Sequence, residues 1–232
     1  MVRADTRRAA AGRSGIQSHI VSVEVRTVTA GLWLWRQPHW EWREGDDWEP
    51  EVSSFVAESR GEIVMLDPLA PPPSAQEVWT RLADRPPTAV VVLKPDHVRD
   101  VDLFVRWYRV PAYGPWLFWR GDAPRTELVP VRPGDELPGG LRALYDGRGS
   151  METPVYLPEQ RALVFADGMA APGGVLRVWW SPSLEERTLP ALRAMLDLPF
   201  ERVLVSHGEP VHSRADFEAA LEREPWSRPA GS

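Results

Sequence analysis

Four short apolar runs, each stopped by a polar side chain able to carry a proton or bind a metal, constrain this chain most. EIVML (62–66) runs into Asp67, and AVVVL (89–93) runs into KPDHVRD. ALVFA (162–166) ends at Asp167, and RVLVS (202–206) ends at His207. Short runs without polar alternation fit strands that are buried on both faces. A strand end is held by its sheet yet open to solvent, so polar groups placed there can converge on one site.

The segments between these runs fill in the rest. Residues 21–28 and 32–37 read as strands, and Arg60-Gly61 marks a tight hairpin turn before the first apolar run. Residues 74–84 have apolar positions at helical spacing, with Ser74 as N-cap. A short helix is predicted over 101–108, with Asp102 capping its start, and PWLFW (115–119) is strand material. TPVYLPEQRALVF is a hairpin turning at residues 158–160. Helices over 185–199 and 213–226 bracket the last run, the second with Ser213 as N-cap. This order predicts an α+β fold, an αββα sandwich in which two mixed β-sheets pack face to face with helices on the outside. Residues 1–18, Arg-rich and without an apolar period, are predicted to be a disordered extension. Residues 19–232 are predicted to be a single domain, since 232 residues suffice for one large core.

Composition narrows the chemistry. There is no cysteine, so disulfides, thiolate nucleophiles and Cys-ligated zinc are excluded, and any metal must be held by His and carboxylate. A net charge of −6 argues against a nucleic-acid surface. No apolar run approaches the roughly 18 residues of a membrane span, and the start has no apolar stretch of secretory type, so the expected location is cytoplasmic. Lysine occurs once, at Lys94; every other permanent side-chain cation is arginine. Twelve tryptophans read first as core and sheet packing, with WLW (33–35) and WEW (40–42) as a possible cleft wall.

The strand ends together resemble the metallo-β-lactamase superfamily, from about Trp33 to Phe217. EIVMLDPLAPP is similar to the family's early strand ending in a buried Asp. VVLKPDHVRDVD stands where the family has HxHxDH, LVFADGM where it has a carboxylate bridging two metals, and VLVSHGEPV where it delivers the last His. The departures matter as much. With Asp100 in the Asp position, the three His positions fall on Asp96, Val98 and Val101, and His97 is out of register by one. The turn that brings another His is here DGRGSMETPVYLP, with Arg148 as the best match.

The resemblance implies a degenerate metal site holding either no cofactor or one divalent ion, zinc being the first choice. Its candidate ligands are His97, Asp100, Asp167 and His207, with Asp100 and Asp167 also able to orient a water. Asp67 would be an acceptor behind a ligand. Arg148 would stand in for the metal by placing its guanidinium against Asp167 or Asp100. Lys94 and Arg99 flank the motif. His19, His39 and His212 read as surface or capping residues, Asp146 as a turn residue, and Glu152 as a strand-face charge. Two functions are expected. One is weak, at most mononuclear hydrolysis of a small ester or thioester. The other is an inactive relative that binds a small anionic molecule or a protein partner in the old cleft, drawn by Arg148.

Overall fold

A computed structural model describes residues 22–118, 121–149 and 151–227. The predicted extension over residues 1–18, and His19, lie outside them. The first sheet has seven strands in chain order: β1 (Glu24–Thr29), β2 (Leu32–Pro38), β3 (Glu51–Ser59), β4 (Glu62–Leu66), β5 (Ala89–Val91), β6 (Ala112–Gly114) and β7 (Val129–Pro130). Pairing is antiparallel from β1 to β4 and parallel from β4 to β7. Arg60 and Gly61 both have positive φ, the geometry of a two-residue turn matched to strand twist. Helix α1 (Gln76–Asp84) carries the chain from β4 to β5, and α2 (Val101–Tyr108) from β5 to β6.

The second sheet begins with β8 (Glu136–Leu137), β9 (Leu141–Ala143), β10 (Val155–Leu157) and β11 (Ala162–Phe165). A ribbon of β12 (Met169–Ala170) and β13 (Arg177–Val178) follows, then α3 (Leu189–Ala194), β14 (Arg202–Val205), β15 (Val211–Ser213) and α4 (Arg214–Ala220). The order of that sheet is β15-β14-β11-β10-β9-β8, with β11 and β14 parallel. Both sheets are therefore mixed, and the layers are those of an αββα sandwich.

The apolar runs explain the layering. In β4, Val64 and Leu66 pack between the sheets, while Met65 turns out to meet Val78, Leu82 and Phe104 of α1 and α2. In β11 and β14, Val164 and Leu204 face inward, while Leu163, Phe165, Val203 and Val205 meet Leu192 of α3 and Phe217 of α4. Past the half-buried Glu62 and Arg202 that open β4 and β14, every position of these strands is buried, so no polar alternation survives in the sequence.

Some local expectations differ. Helix α1 starts at Gln76 without a side-chain cap from Ser74. The span 185–199 breaks into a π turn (Leu184–Thr188), α3 and a 3₁₀ turn (Met195–Asp197), because Pro190 cannot donate within one continuous helix. The last helix stops at Ala220, but Ser213 and Asp216 form the capping box that its start predicts. No strand forms over residues 115–118, where Trp116 and Leu117 are exposed.

Candidate metal centre

The C-terminal ends of β4, β5, β11 and β14 come out on the same edge of the sandwich, and their polar followers meet there. Cross-sheet links fix that edge: Ser53 N–H donates to Ser206 O (2.9 Å) and Thr153 N–H to Leu93 O (2.8 Å). After β14 the chain must turn hard. Gly208 sits at φ 83°, and a Cβ there would lie 2.1 Å from Ala171 O, so the turn that presents His207 needs glycine.

Asp67 is fully buried, at positive φ, directly after β4. Its Oδ1 accepts from Leu93 N–H at 2.7 Å, and its Oδ2 lies 2.8 Å from His97 Nδ1. That contact orients the His97 ring and points Nε2 into the cleft. There Asp167 Oδ1 lies 3.2 Å from His97 Nε2 and 3.1 Å from His207 Nε2. The second oxygen, Asp167 Oδ2, carries an ion pair with Lys94 Nζ at 2.5 Å, and the same ammonium meets Asp96 Oδ2 at 2.5 Å. Arg99 closes the floor by donating to the carbonyls of Ser53 and Asp67.

These neighbours set the charge. Burial opposes an imidazolium at His97, but the carboxylates of Asp167 and Asp67 outweigh burial and Arg99 and push it up to about 9. Burial also opposes ionisation of Asp167; His97 and Lys94 overcome it and hold the carboxyl well below its usual range. Lys94 is raised, because Asp167 and Asp96 outweigh its burial. His207 is lowered, chiefly by burial, and so stays neutral.

His97, Asp167 and His207 offer one donor atom each, all within 4.8 Å of one another. Zinc holds ligands at about 2.0–2.2 Å in a tetrahedron, which spaces donors roughly 3.3–3.5 Å apart. The separations of 3.2 and 3.1 Å are one to two tenths of an ångström shorter than the lower end of that spacing. Asp167 Oδ1 is buried and has no well-aligned hydrogen bond among the described residues. The three residues therefore fit a single divalent ion. His207 Nδ1 also has no hydrogen-bond partner among the described residues, so that imidazole is held by Asp167 Oδ1 at its other ring nitrogen and by ring packing: Trp48 and Trp179 stand edge-on at 5.2 and 6.1 Å. The cleft above is about 430 Å³ and is lined by these residues, His39 and the acidic rim Glu41, Asp47 and Asp122.

Two expectations are corrected. Asp100 is not among the converging groups. It occupies the N-cap position of α2, and its Oδ2 accepts from Ala70 N–H at 2.7 Å, which turns the carboxylate away. Arg148 does not pair with Asp167 or Asp100. Its Nε donates to Asp146 at 2.6 Å and its terminal nitrogen pairs with Glu152, both carboxylates being buried. The cations against Asp167 are Lys94 and the protonated form of His97 instead.

Other residues have roles that sequence patterns hid. Glu152 is 1% exposed and accepts from the N–H groups of Ala166, Asp167 and Gly168 at 2.9, 2.8 and 2.6 Å, so it holds the turn that presents Asp167. Burial pushes Glu152 up to about 7 against the pull of Arg148. Asp102 does not cap α2 but accepts from the backbone of Arg125 and Thr126. His212 meets Glu209 O at 2.7 Å, while His39 reaches the cleft wall. Trp33 and Trp35 belong to the core, and the indoles beside the site are Trp48 and Trp179.

No model of a known protein family matches the sequence, and no curated protein matches it. Solved structures do. A metallo-β-lactamase from Pontibacter korlensis superposes with a TM-score of 0.62 at 17% identity, covering 88% of this chain and 100% of that one. The metallo-β-lactamase FIM-1 from Pseudomonas aeruginosa, in a mono-zinc form, gives 0.62 at 18% identity, over 87% and 94%. A metallo-β-lactamase family protein from Thermus thermophilus gives 0.59 at 16% identity, over 84% and 78%. The chain has the metallo-β-lactamase fold over most of its length, with a partial, buried His/Asp/His group at the strand ends.

Proposed function

We propose that the cleft is a reduced metal site that takes at most one divalent ion, zinc in the first place, and supports weak hydrolysis of a small ester or thioester. The observation that carries this reading is the convergence of His97 Nε2, Asp167 Oδ1 and His207 Nε2, with separations of 3.2 and 3.1 Å about the shared carboxylate oxygen. A zinc ion there would supply Lewis acidity toward a carbonyl. The chain's own groups do the rest. Asp67 orients His97, Glu152 sets the Asp167 turn, and Trp48 and Trp179 wall the cleft against bulk water. Holding an ion requires His97 to release its proton, so affinity rises with pH. The mono-zinc form known for FIM-1 lends support by analogy of fold alone.

The rival reading is a cleft that does no chemistry. The Lys94–Asp167 ion pair favours it, because a neutralised carboxylate is a poorer ligand. An anionic ligand has little support, since Arg148 is spent on Asp146 and Glu152 and the rim is acidic. Metal analysis after purification without chelator, with assays on p-nitrophenyl acetate and an acyl thioester, separates the two. The proposal expects zinc-dependent turnover that His207→Ala removes. Zinc binding without turnover would favour the rival, and no binding at millimolar zinc would sink the metal site.

A further inference from the structure

We infer that Lys94 is a resident cation: its ammonium neutralises one oxygen of Asp167, keeps the cleft formed without metal, and lowers the affinity of the remaining oxygen for an ion. The inference rests on the reading of the cleft as a cation site and says how that site is regulated. Asp167 divides its carboxylate between two environments. Oδ2 meets Lys94 Nζ at 2.5 Å, while Oδ1 faces the two imidazoles without a well-aligned hydrogen bond. The ammonium is buried, its side chain 10% exposed, and its only other ion-pair partner among the described residues is the half-exposed Asp96.

The residue type is informative. This is the sole lysine of a chain whose other permanent cations are all arginine. A guanidinium binds carboxylates as a fork and tends to cover both oxygens. An ammonium is a compact charge on a flexible stem and can satisfy one oxygen while leaving the other free. Lysine here therefore preserves an open donor that arginine would close. It also supplies positive charge beside that donor, which a divalent ion must overcome. Arg99, buried in the floor, is held by Nη1 on the carbonyls of Ser53 and Asp67 and makes no ion pair with Asp167 among the described residues.

Zinc alone is the probe, titrated by calorimetry into metal-free wild type, Lys94→Met and Lys94→Arg. Lys94→Met keeps the stem and removes the charge, so it should bind zinc at least tenfold tighter than wild type. Its metal-free melting temperature should fall, and zinc should restore more of it than in wild type. Lys94→Arg should bind zinc no tighter than wild type, and weaker if its fork covers Oδ1. Should Lys94→Met fail to fold, Lys94→Gln, which can still donate to Oδ2, is read in the same way. Equal or weaker affinity in a folded, uncharged variant overturns the inference. The two readings fail differently. If wild type binds no zinc and Lys94→Met binds it, Lys94 is the resident cation and the one-ion reading of the wild type fails. If wild type binds one ion and Lys94→Met binds it no better, the one-ion reading stands and the role given to Lys94 falls.

Discussion

Two buried charged clusters lie at the same edge of the sandwich, and they differ in one respect. In the Asp146–Arg148–Glu152 cluster both oxygens of Glu152 are spent, on three backbone N–H groups and the guanidinium. In the Lys94–His97–Asp167–His207 cluster, Asp167 Oδ1 and His207 Nδ1 are buried without a hydrogen-bond partner among the described residues. Closed networks rigidify; open ones keep donors for something else. On the proposed reading, the first cluster holds the fold and the second keeps donors for an ion. Burial and charge alone would not have separated them.

The largest effect expected from this contrast is at Arg148. Arg148→Ala leaves Asp146 and Glu152 buried and facing each other, so unfolding free energy should drop by about 3–5 kcal/mol. Chemical denaturation checks this. A change within about ±0.5 kcal/mol, as at an ordinary surface site, would mean that the closed cluster is not structural.

The open cluster should betray itself through pH. His97 has a folded pKa pushed up to about 9, above the ordinary 6.5 of an unfolded histidine. A raised histidine contributes stability that is complete below about pH 6.5 and is lost as pH rises toward 9. In metal-free protein the advantage of wild type over His97→Gln should therefore shrink across that window, by at most about 3 kcal/mol. A gap that stays constant from pH 6 to pH 9.5 would show that His97 is neutral throughout.

The smallest effect expected is at Asp100. Its carboxylate is engaged by Ala70 N–H, and an amide oxygen can still accept that bond, though more weakly. Asp100→Asn should leave zinc affinity within about twofold of wild type, since nothing in the cleft changes. A tenfold loss would return Asp100 to the metal site and move the boundary between the clusters.

The sequence made the sandwich legible because its central strands are buried on both faces and so appear as unbroken apolar runs. The same runs placed Asp67, Asp167 and His207, since a strand end needs no loop geometry to locate it. The stretch from Lys94 to Asp100 was not legible in this way. Arg99 there adopts positive φ and His97 N–H donates to Lys94 O, so this turn follows no strand or helix period. A register counted along it misassigned Asp100 and treated Lys94 as a flanking charge. The sequence leaves Arg148 open to the role of a stand-in for the metal because its carboxylate partners, Asp146 and Glu152, have the local context of an ordinary turn residue and strand-face charge. One signal was available: a lone lysine among arginines suggests a position where the fork of arginine does not serve. Trp48 and Trp179 gave no signal, because tertiary packing alone brings them to His207.

The central claim is that one ion sits among His97, Asp167 and His207, and zinc-edge X-ray absorption on protein loaded with a single equivalent tests it most directly. The account predicts a first shell of nitrogen and oxygen at about 2.0–2.1 Å, with the outer-shell scattering of two imidazoles, reduced to one in His207→Ala. A shell without histidine scattering, or one that His207→Ala leaves unchanged, would place the metal elsewhere and contradict it.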